Sequence, residues 1–272
     1  MGHSSHQQDP VVVIESLQEF YSDILEYYDE LFPLDPSIPG FILALRQQIG
    51  LDPQQKPADT PVPFCRLLGI GCATGTLENR LAGMQFDVTG IDRNPQMIET
   101  AKRRMKRGFS TARFFEMSAL EMRRFLKEGS FNIITCLDNM LPYIADETLI
   151  KKFFYDAKNL LADGGRLVIQ VFTFDENESA RALQLPERSS LRVTLTRMHL
   201  PAEEGKNTLA AELQLGNGRI LQLARTTQLY PLTRSDIENW SREAGFTSCE
   251  LYGNFDGAPW NRDGEYTVAV LG

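Results

Sequence analysis

From residue 65 to residue 172 the chain repeats one pattern, a short apolar run followed by a longer amphipathic one. The short runs are CRLLGIG, FDVTGID, ARFFEM, FNIITCL and GRLVIQVF. Between them lie TLENRLAG, PQMIETAKRRMKRG, ALEMRRFLKE and ETLIKKFFYDAKNLLA, which carry apolar residues at helical spacing. A strand buried on both faces reads as continuous apolar sequence, and a helical crossover between successive strands makes them pair in parallel. FTSCELYG and EYTVAVL add two closing strands. The pattern predicts an α/β fold, a seven-stranded, mostly parallel sheet with helices on both faces.

The flanks follow other rules. Residues 11–31 have helical apolar spacing, with Val13, Leu17, Phe20, Ile24 and Tyr27 or Tyr28 on one side. PLDPSIPG breaks the chain, a short helix is expected over 40–49, and LDPQQKPADTPVP is a polar, proline-rich connector. Residues 11–62 therefore form an expected N-terminal helical appendage and linker. After Phe174 apolar and polar residues alternate through SLRVTLTRMHL, NTLAAELQL and RILQLARTTQLY, the signature of strands covered on one face. Residues 175–230 are read as an inserted antiparallel lid, leaving 63–174 and 231–272 as the core. TRSDIENWSREAG is a helix with Thr233 as N-cap and Gly245 at its C-terminal end.

Charge narrows the function classes. The 272 residues carry a net charge of −8, without the cation excess needed to displace phosphate counterions, so no nucleic-acid partner is expected. KRRMKR at 102–107 reads as a solvated face. Four cysteines without a CxxC pair suggest buried thiols of a reduced, cytoplasmic protein and no metal site. No apolar run approaches the ~20 residues that span a bilayer, so no membrane is expected. The N-terminal MGHSSHQQ is set aside from fold reasoning. His199, the one histidine in the body of the chain, lies on the expected lid and reads as a surface or structural residue.

Open parallel sheets bind ligands at the carboxyl ends of their strands, where strand order reverses. The first strand ends in GIGCATG, where Gly71 permits a tight turn and Gly75 a close helix start. The spacing is one residue longer than G-x-G-x-x-G, so a dinucleotide fingerprint is not met, and a nicotinamide-dependent oxidoreductase is disfavoured. The second strand ends at Asp92, placed to accept hydrogen bonds from both hydroxyls of a ribose. Its alternative duty, helix N-cap, can fall to Asn94 before Pro95.

These segments resemble the class I S-adenosylmethionine-dependent methyltransferases. LLGIGCATG is similar to that family's L-D-x-G-C-G-x-G turn, and VTGIDRNPQM to its V-x-G-x-D-x-S-x-x-M. Met117-Ser118-Ala119 stands where G-D-A is common, and LLADGGRLVI resembles the L-x-P-G-G segment. CLDNMLPYI, YYDELFP and LYGNFDGAPW are similar to segments of a small-molecule branch that includes glycine, sarcosine and amino-sugar N-methyltransferases. The resemblance implies a Rossmann-like fold, S-adenosyl-L-methionine as cofactor, a small-molecule methyl acceptor and, as one open assembly, a homodimer.

By position, the resemblance also implies roles. Gly69, Gly71 and Gly75 approach the methionine part of the cofactor, Asp92 holds the ribose, and Arg93 or Met97 flanks the adenine. Ser118 and Ala119 meet the adenine edge, and Leu137 and Asp138 sit near the cofactor's amino group. Asn139 and Tyr143 face the acceptor, with Tyr27 or Tyr28 closing from the N-terminal helix. Bland alternatives remain beside these: core packing for the tyrosines and a backbone cap for Asn139. Gly69 replaces a carboxylate of the family pattern. Either the site is weakened, which leaves a non-catalytic binding protein as the alternative, or Asp138 supplies the missing charge from the adjacent strand end.

Overall fold

The computed structural model describes residues 10–51, 64–105, 112–174, 182–202 and 206–272. The connector at 52–62 and the part of the basic stretch beyond Met105 lie outside the described residues.

The alternating segment forms β1 (Cys65–Ile70), β2 (Phe86–Asp92), β3 (Arg113–Glu116), β4 (Phe131–Cys136) and β5 (Leu161–Phe172). β11 (Cys249–Tyr252) and β12 (Tyr266–Leu271) complete a seven-stranded sheet in the order β11-β12-β5-β4-β1-β2-β3. β1 to β5 pair in parallel, and β12 runs antiparallel to both its neighbours. The order reverses between β1 and β4, so the connections leaving their carboxyl ends diverge and open a crevice. Leu67, Leu68, Ile133, Ile134, Val168 and Ile169 are fully buried, which explains their unbroken apolar runs.

Helices α4 (Thr76–Ala82), α5 (Pro95–Arg104), α6 (Met122–Phe125), α7 (Glu147–Leu160) and α8 (Arg234–Glu243) connect the strands. Their starts follow local chemistry. Asn94 Oδ1 accepts from the Gln96 and Met97 amides ahead of α5, with Pro95 in the first turn. Thr233 and Asp236 form a reciprocal capping box on α8. The helix expected over ALEMRRFLKE is instead a 3₁₀ turn at Ala119–Glu121 followed by the single α turn of α6.

A second sheet has the order β10-β9-β8-β6, formed by β6 (Leu183–Gln184), β8 (Val193–Pro201), β9 (Asn207–Leu215) and β10 (Ile220–Leu229), with β7 (Arg188–Ser189) also paired to β8. The two-residue β6 and β7 had no counterpart in the sequence reading. Along β8 the inward positions are Val193, Leu195, Arg197 and His199, all buried.

The N-terminal helix does not run unbroken to residue 31. α1 (Pro10–Asp23) ends at Ile24, a 3₁₀ turn covers Leu25–Tyr27, and α2 (Tyr28–Leu31) follows. α3 (Ser37–Gln48) starts earlier than expected, because Pro39 is tolerated in a first helical turn. Phe20, Ile24 and Leu31 are buried in one cluster with Val193, Leu195, Leu209, Leu213 and Leu229 of the second sheet, and with Tyr143. Each such side chain contributes roughly 1.5–3 kcal/mol. The N-terminal segment thus fills the space between the sheets.

Candidate functional site

Asp92 ends β2 beside the crevice. Its Oδ2 accepts the Ala73 amide at 2.9 Å and its Oδ1 accepts the Asn94 amide at 2.8 Å. Each carboxylate oxygen has a second lone-pair direction left, which suits two neighbouring hydroxyls. Burial raises its pKa, and the two amides oppose that rise. The N-cap duty falls to Asn94, as the sequence allowed.

The turn after β1 uses its glycines in different ways. Gly71 has φ +71°, and a Cβ there would stand 2.9 Å from Met140 Cγ. Gly75 has φ +70°, and its Cβ would meet Phe114 at 2.7 Å and Ala101 at 2.8 Å, so its role is close packing of α4. Gly69 is different again. A Cβ on it would stand 2.2 Å from Oε1 of Glu78. Glu78 belongs to α4 and points inward, only 3% exposed. A carboxyl group therefore lies against the position where the strand lacks one. Burial, with the charges of Asp92 and Asp138 adding to it against an opposing backbone hydrogen bond, raises its pKa to about 8.

After β4 the backbone turns through two left-handed residues, Asp138 at φ +53° and Asn139 at φ +58°, a conformation that Asp and Asn tolerate better than most. Gln170 of β5 holds the turn: its Oε1 accepts the Asp138 amide and its carbonyl accepts the Asn139 amide, both at 3.1 Å. Asn139 Oδ1 accepts the Phe172 amide at 3.0 Å, and its side-chain amide is directed at Tyr143. Asp138 faces a cavity, so its carboxylate is accessible although protein surrounds it. Burial raises its pKa, while Arg188 and Arg197 lower it. Tyr143 is buried nearby. Burial raises its pKa, and Arg197 and the Asn139 amide act the other way.

Two adjoining cavities open at the crevice. The smaller, ≈ 120 Å³, is lined by Gly71, Asp92, Arg93, Ser118, Ala119 and Tyr143, with apolar walls from Ile70, Met117 and Ile144. Leu17, Gln18 and Tyr21 of α1 close it, and Gln18 Nε2 donates to the Arg93 carbonyl at 3.1 Å. Ser118 Oγ also caps its 3₁₀ turn by accepting the Leu120 amide. The larger, ≈ 340 Å³, is lined by Gly71, Leu137, Asp138 and Tyr266 of the seven-stranded sheet and its connections, by Glu78 of α4, and by Tyr28, Phe32 and Arg188. That volume lies within the roughly 300–1,000 Å³ usual for ligand pockets.

Some candidate residues line neither cavity, the buried Asn139 among them. Met97 packs in the buried cluster with α1. Tyr27 sits beneath the Arg192 guanidinium, 4.6 Å from its ring centroid. Gly75 is covered by Phe114, and Gly69 by Glu78. His199 is fully buried rather than on the surface, stacked on Phe174 with ring centroids 5.6 Å apart. Burial, followed by the nearby Arg197 charge, lowers its pKa to about 3.

Lining residues not singled out from the sequence include Gln18, Tyr21, Phe32, Glu78, Arg188 and Tyr266. Glu78 carried a readable signal, an acid between Leu77 and Leu81 on the face of a short helix that must pack on the sheet.

A parallel sheet reversing at β1/β4, a glycine turn, an acid at the tip of β2 and an antiparallel last strand define the Rossmann-like fold of class I methyltransferases. The chain belongs to the methyltransferase domain family, whose model matches residues 63–227. A methyltransferase of Geobacillus sp. strain WCH70 is 28% identical over 214 residues, 71% of this chain and 79% of that protein. Among solved structures, an S-adenosylmethionine-dependent methyltransferase from Clostridium acetobutylicum superposes with a TM-score of 0.71 at 16% identity, covering 92% of this chain and 98% of that one. A sugar N-methyltransferase from Streptoalloteichus sp. gives a TM-score of 0.61 at 17% identity, covering 99% and 97%. No helix among the described residues is long and apolar enough to cross a membrane.

Proposed function

We propose that this chain transfers a methyl group from S-adenosylmethionine to a nitrogen or oxygen of a small molecule. The observation that carries the reading is Asp92, held by two backbone amides at the switch point with lone pairs left for a ribose diol. Arg93, Ser118 and Ala119 would surround the adenine, with α1 as cover. Glu78 and Asp138 would face the ammonium of the methionyl end, next to Gly71 and Leu137. On this reading residues 63–174 and 231–272 hold the cofactor, 11–62 cover it, and 175–230 form a lid over the acceptor.

The cofactor supplies an activated methyl group on a sulfonium. The chain's own task is alignment and exclusion of water, the proximity contribution to rate. Tyr28, which lines the larger cavity, and Tyr143, which lines the smaller, would position the acceptor, with the buried Asn139 supporting Tyr143 from behind. His199 is no base for it, since its ring is neutral down to about pH 3 and shut among aromatic rings. The non-catalytic alternative rested on Gly69 and Ser118, and the inward Glu78 weakens its first ground.

Calorimetry tests the reading. S-adenosylmethionine or S-adenosylhomocysteine is expected to bind at micromolar strength, and Asp92→Ala to weaken it by ~1–3 kcal/mol. No heat and no thermal shift with millimolar ligand would sink the proposal. Unchanged affinity in the Asp92 variant would remove the ribose assignment alone.

A further inference from the structure

The lid carries a charge arrangement that the fold does not use for itself. Arg197 occupies an inward position of β8, otherwise lined by Val193, Leu195 and His199, and is only 6% exposed. Its register partner on β9 is Ala211, whose small side chain leaves room for the guanidinium. Nε and Nη2 of Arg197 are buried without a hydrogen-bond partner. Arg188 on β7 repeats the situation: its Nη2 donates to the Tyr266 hydroxyl at 3.2 Å, while its Nε is buried and unpaired. Both guanidiniums stand over one ring, Phe32, at 5.0 Å for Arg197 and 6.0 Å for Arg188.

A buried cation with empty donors is expensive, and the ordinary remedy is a carboxylate. Among the described residues no carboxylate forms an ion pair with either arginine, although both act on Asp138 through space. Arg188, Phe32, Tyr266 and Asp138 line the larger cavity. Guanidinium forks match the paired oxygens of a carboxylate or phosphate.

We propose that Arg197 and Arg188 bind an oxoanion, a carboxylate or phosphate, carried by the methyl acceptor. The inference rests on the methyl-transfer reading above. The cofactor's own carboxylate offers the same chemistry. The arginines are assigned to the acceptor because they come from β7 and β8 of the lid, whereas the methionyl end abuts Glu78 of α4 and Asp138 after β4.

The test uses thermal shifts of the full chain saturated with S-adenosylhomocysteine, at constant ionic strength set with chloride. Acetate and inorganic phosphate are titrated, with acetamide as the neutral control. At least one oxoanion should stabilise the wild type where acetamide does not, because a ligand bound only by the folded state raises its stability. Arg197→Gln and Arg188→Gln should each weaken that response at least tenfold, with affinity for S-adenosylhomocysteine kept within threefold. An absent oxoanion response in the wild type, or an undiminished one in the variants, overturns the proposal. So does a tenfold loss of S-adenosylhomocysteine affinity with that for 5′-deoxy-5′-methylthioadenosine unchanged, which would give the arginines to the cofactor carboxylate. If Arg197→Gln does not fold, Arg188→Gln decides. A wild type that binds neither nucleoside refutes the cofactor reading instead, and the oxoanion titration is then read on the protein alone.

Discussion

At position 69 a side chain has no place to go. Glu78 Oε1 lies 2.2 Å from where its Cβ would stand, so glycine on the strand and glutamate on the helix are one feature. Gly69→Asp alone would put two carboxyls into one space and should cost stability through overpacking, about 1–3 kcal/mol or more. Glu78→Ala alone should weaken S-adenosylhomocysteine binding about tenfold, on the scale of a lost charged hydrogen bond. Gly69→Asp with Glu78→Ala should recover much of that affinity. Isothermal titration of the three variants checks this, and a double variant no better than Glu78→Ala would show that position 69 cannot supply the charge.

Glu78 also sets a pH dependence. The folded protein holds its proton to about pH 8, while the unfolded chain releases it near 4.5. Between those values the folded state binds more protons, so stability declines as pH rises through the window. His199 has the opposite sense: neutral in the fold down to about 3, it would be charged in the unfolded chain below about 6.5, so its contribution is lost as pH falls. The melting temperature of the ligand-free protein should pass through a maximum on the acid side of neutrality. Glu78→Gln should flatten the alkaline limb, and an unaltered limb would contradict the assignment of that proton.

At the scale of elements, α8 shows local chemistry acting alone. Its capping box uses only Thr233 and Asp236, remote from both cavities. Thr233→Ala should cost ~1 kcal/mol in denaturant unfolding and leave nucleoside affinity unchanged. Elements of this kind were legible in the sequence because their determinants are neighbours in the chain. The parallel strands were legible for a related reason, since burial on both faces writes itself into every position. β6 and β7 were not, because two residues carry no period and exist only by pairing with β8. The break at Ile24 escaped because apolar spacing continues across it: Phe20, Ile24 and Tyr28 are all buried, but through a 3₁₀ turn. Asp92 was readable from its place at a strand tip. Arg197 stands in the β8 alternation, yet an arginine in phase with Val193 and Leu195 gains meaning only when it is seen to be buried with unpaired donors.

In the whole molecule the two sheets are joined by what lies between them. Arg192, at the start of β8, reaches back to Glu26 at 2.7 Å and Glu30 at 2.7 Å. Those contacts are exposed and individually worth little, so the apolar cluster around Phe20 and Ile24 holds the lid in place. α1 is therefore both the filling of that cluster and the cover of the smaller cavity.

That double duty has a kinetic side. On the proposed reading, a nucleoside seated beneath α1 would be latched by Gln18 on the Arg93 carbonyl and by the Asn94–Ser22 hydrogen bond. The irregular turn at Leu25–Tyr27 is the natural pivot for an opening swing, since its backbone is already out of register with the helices on either side. Swinging outward would strip Phe20 and Ile24 from the lid, so the latch is polar and cheap while the recoil that reseals it is hydrophobic. Residence time in this protein would then be a property of its first helix, set far in sequence from the strand tips that recognise the occupant.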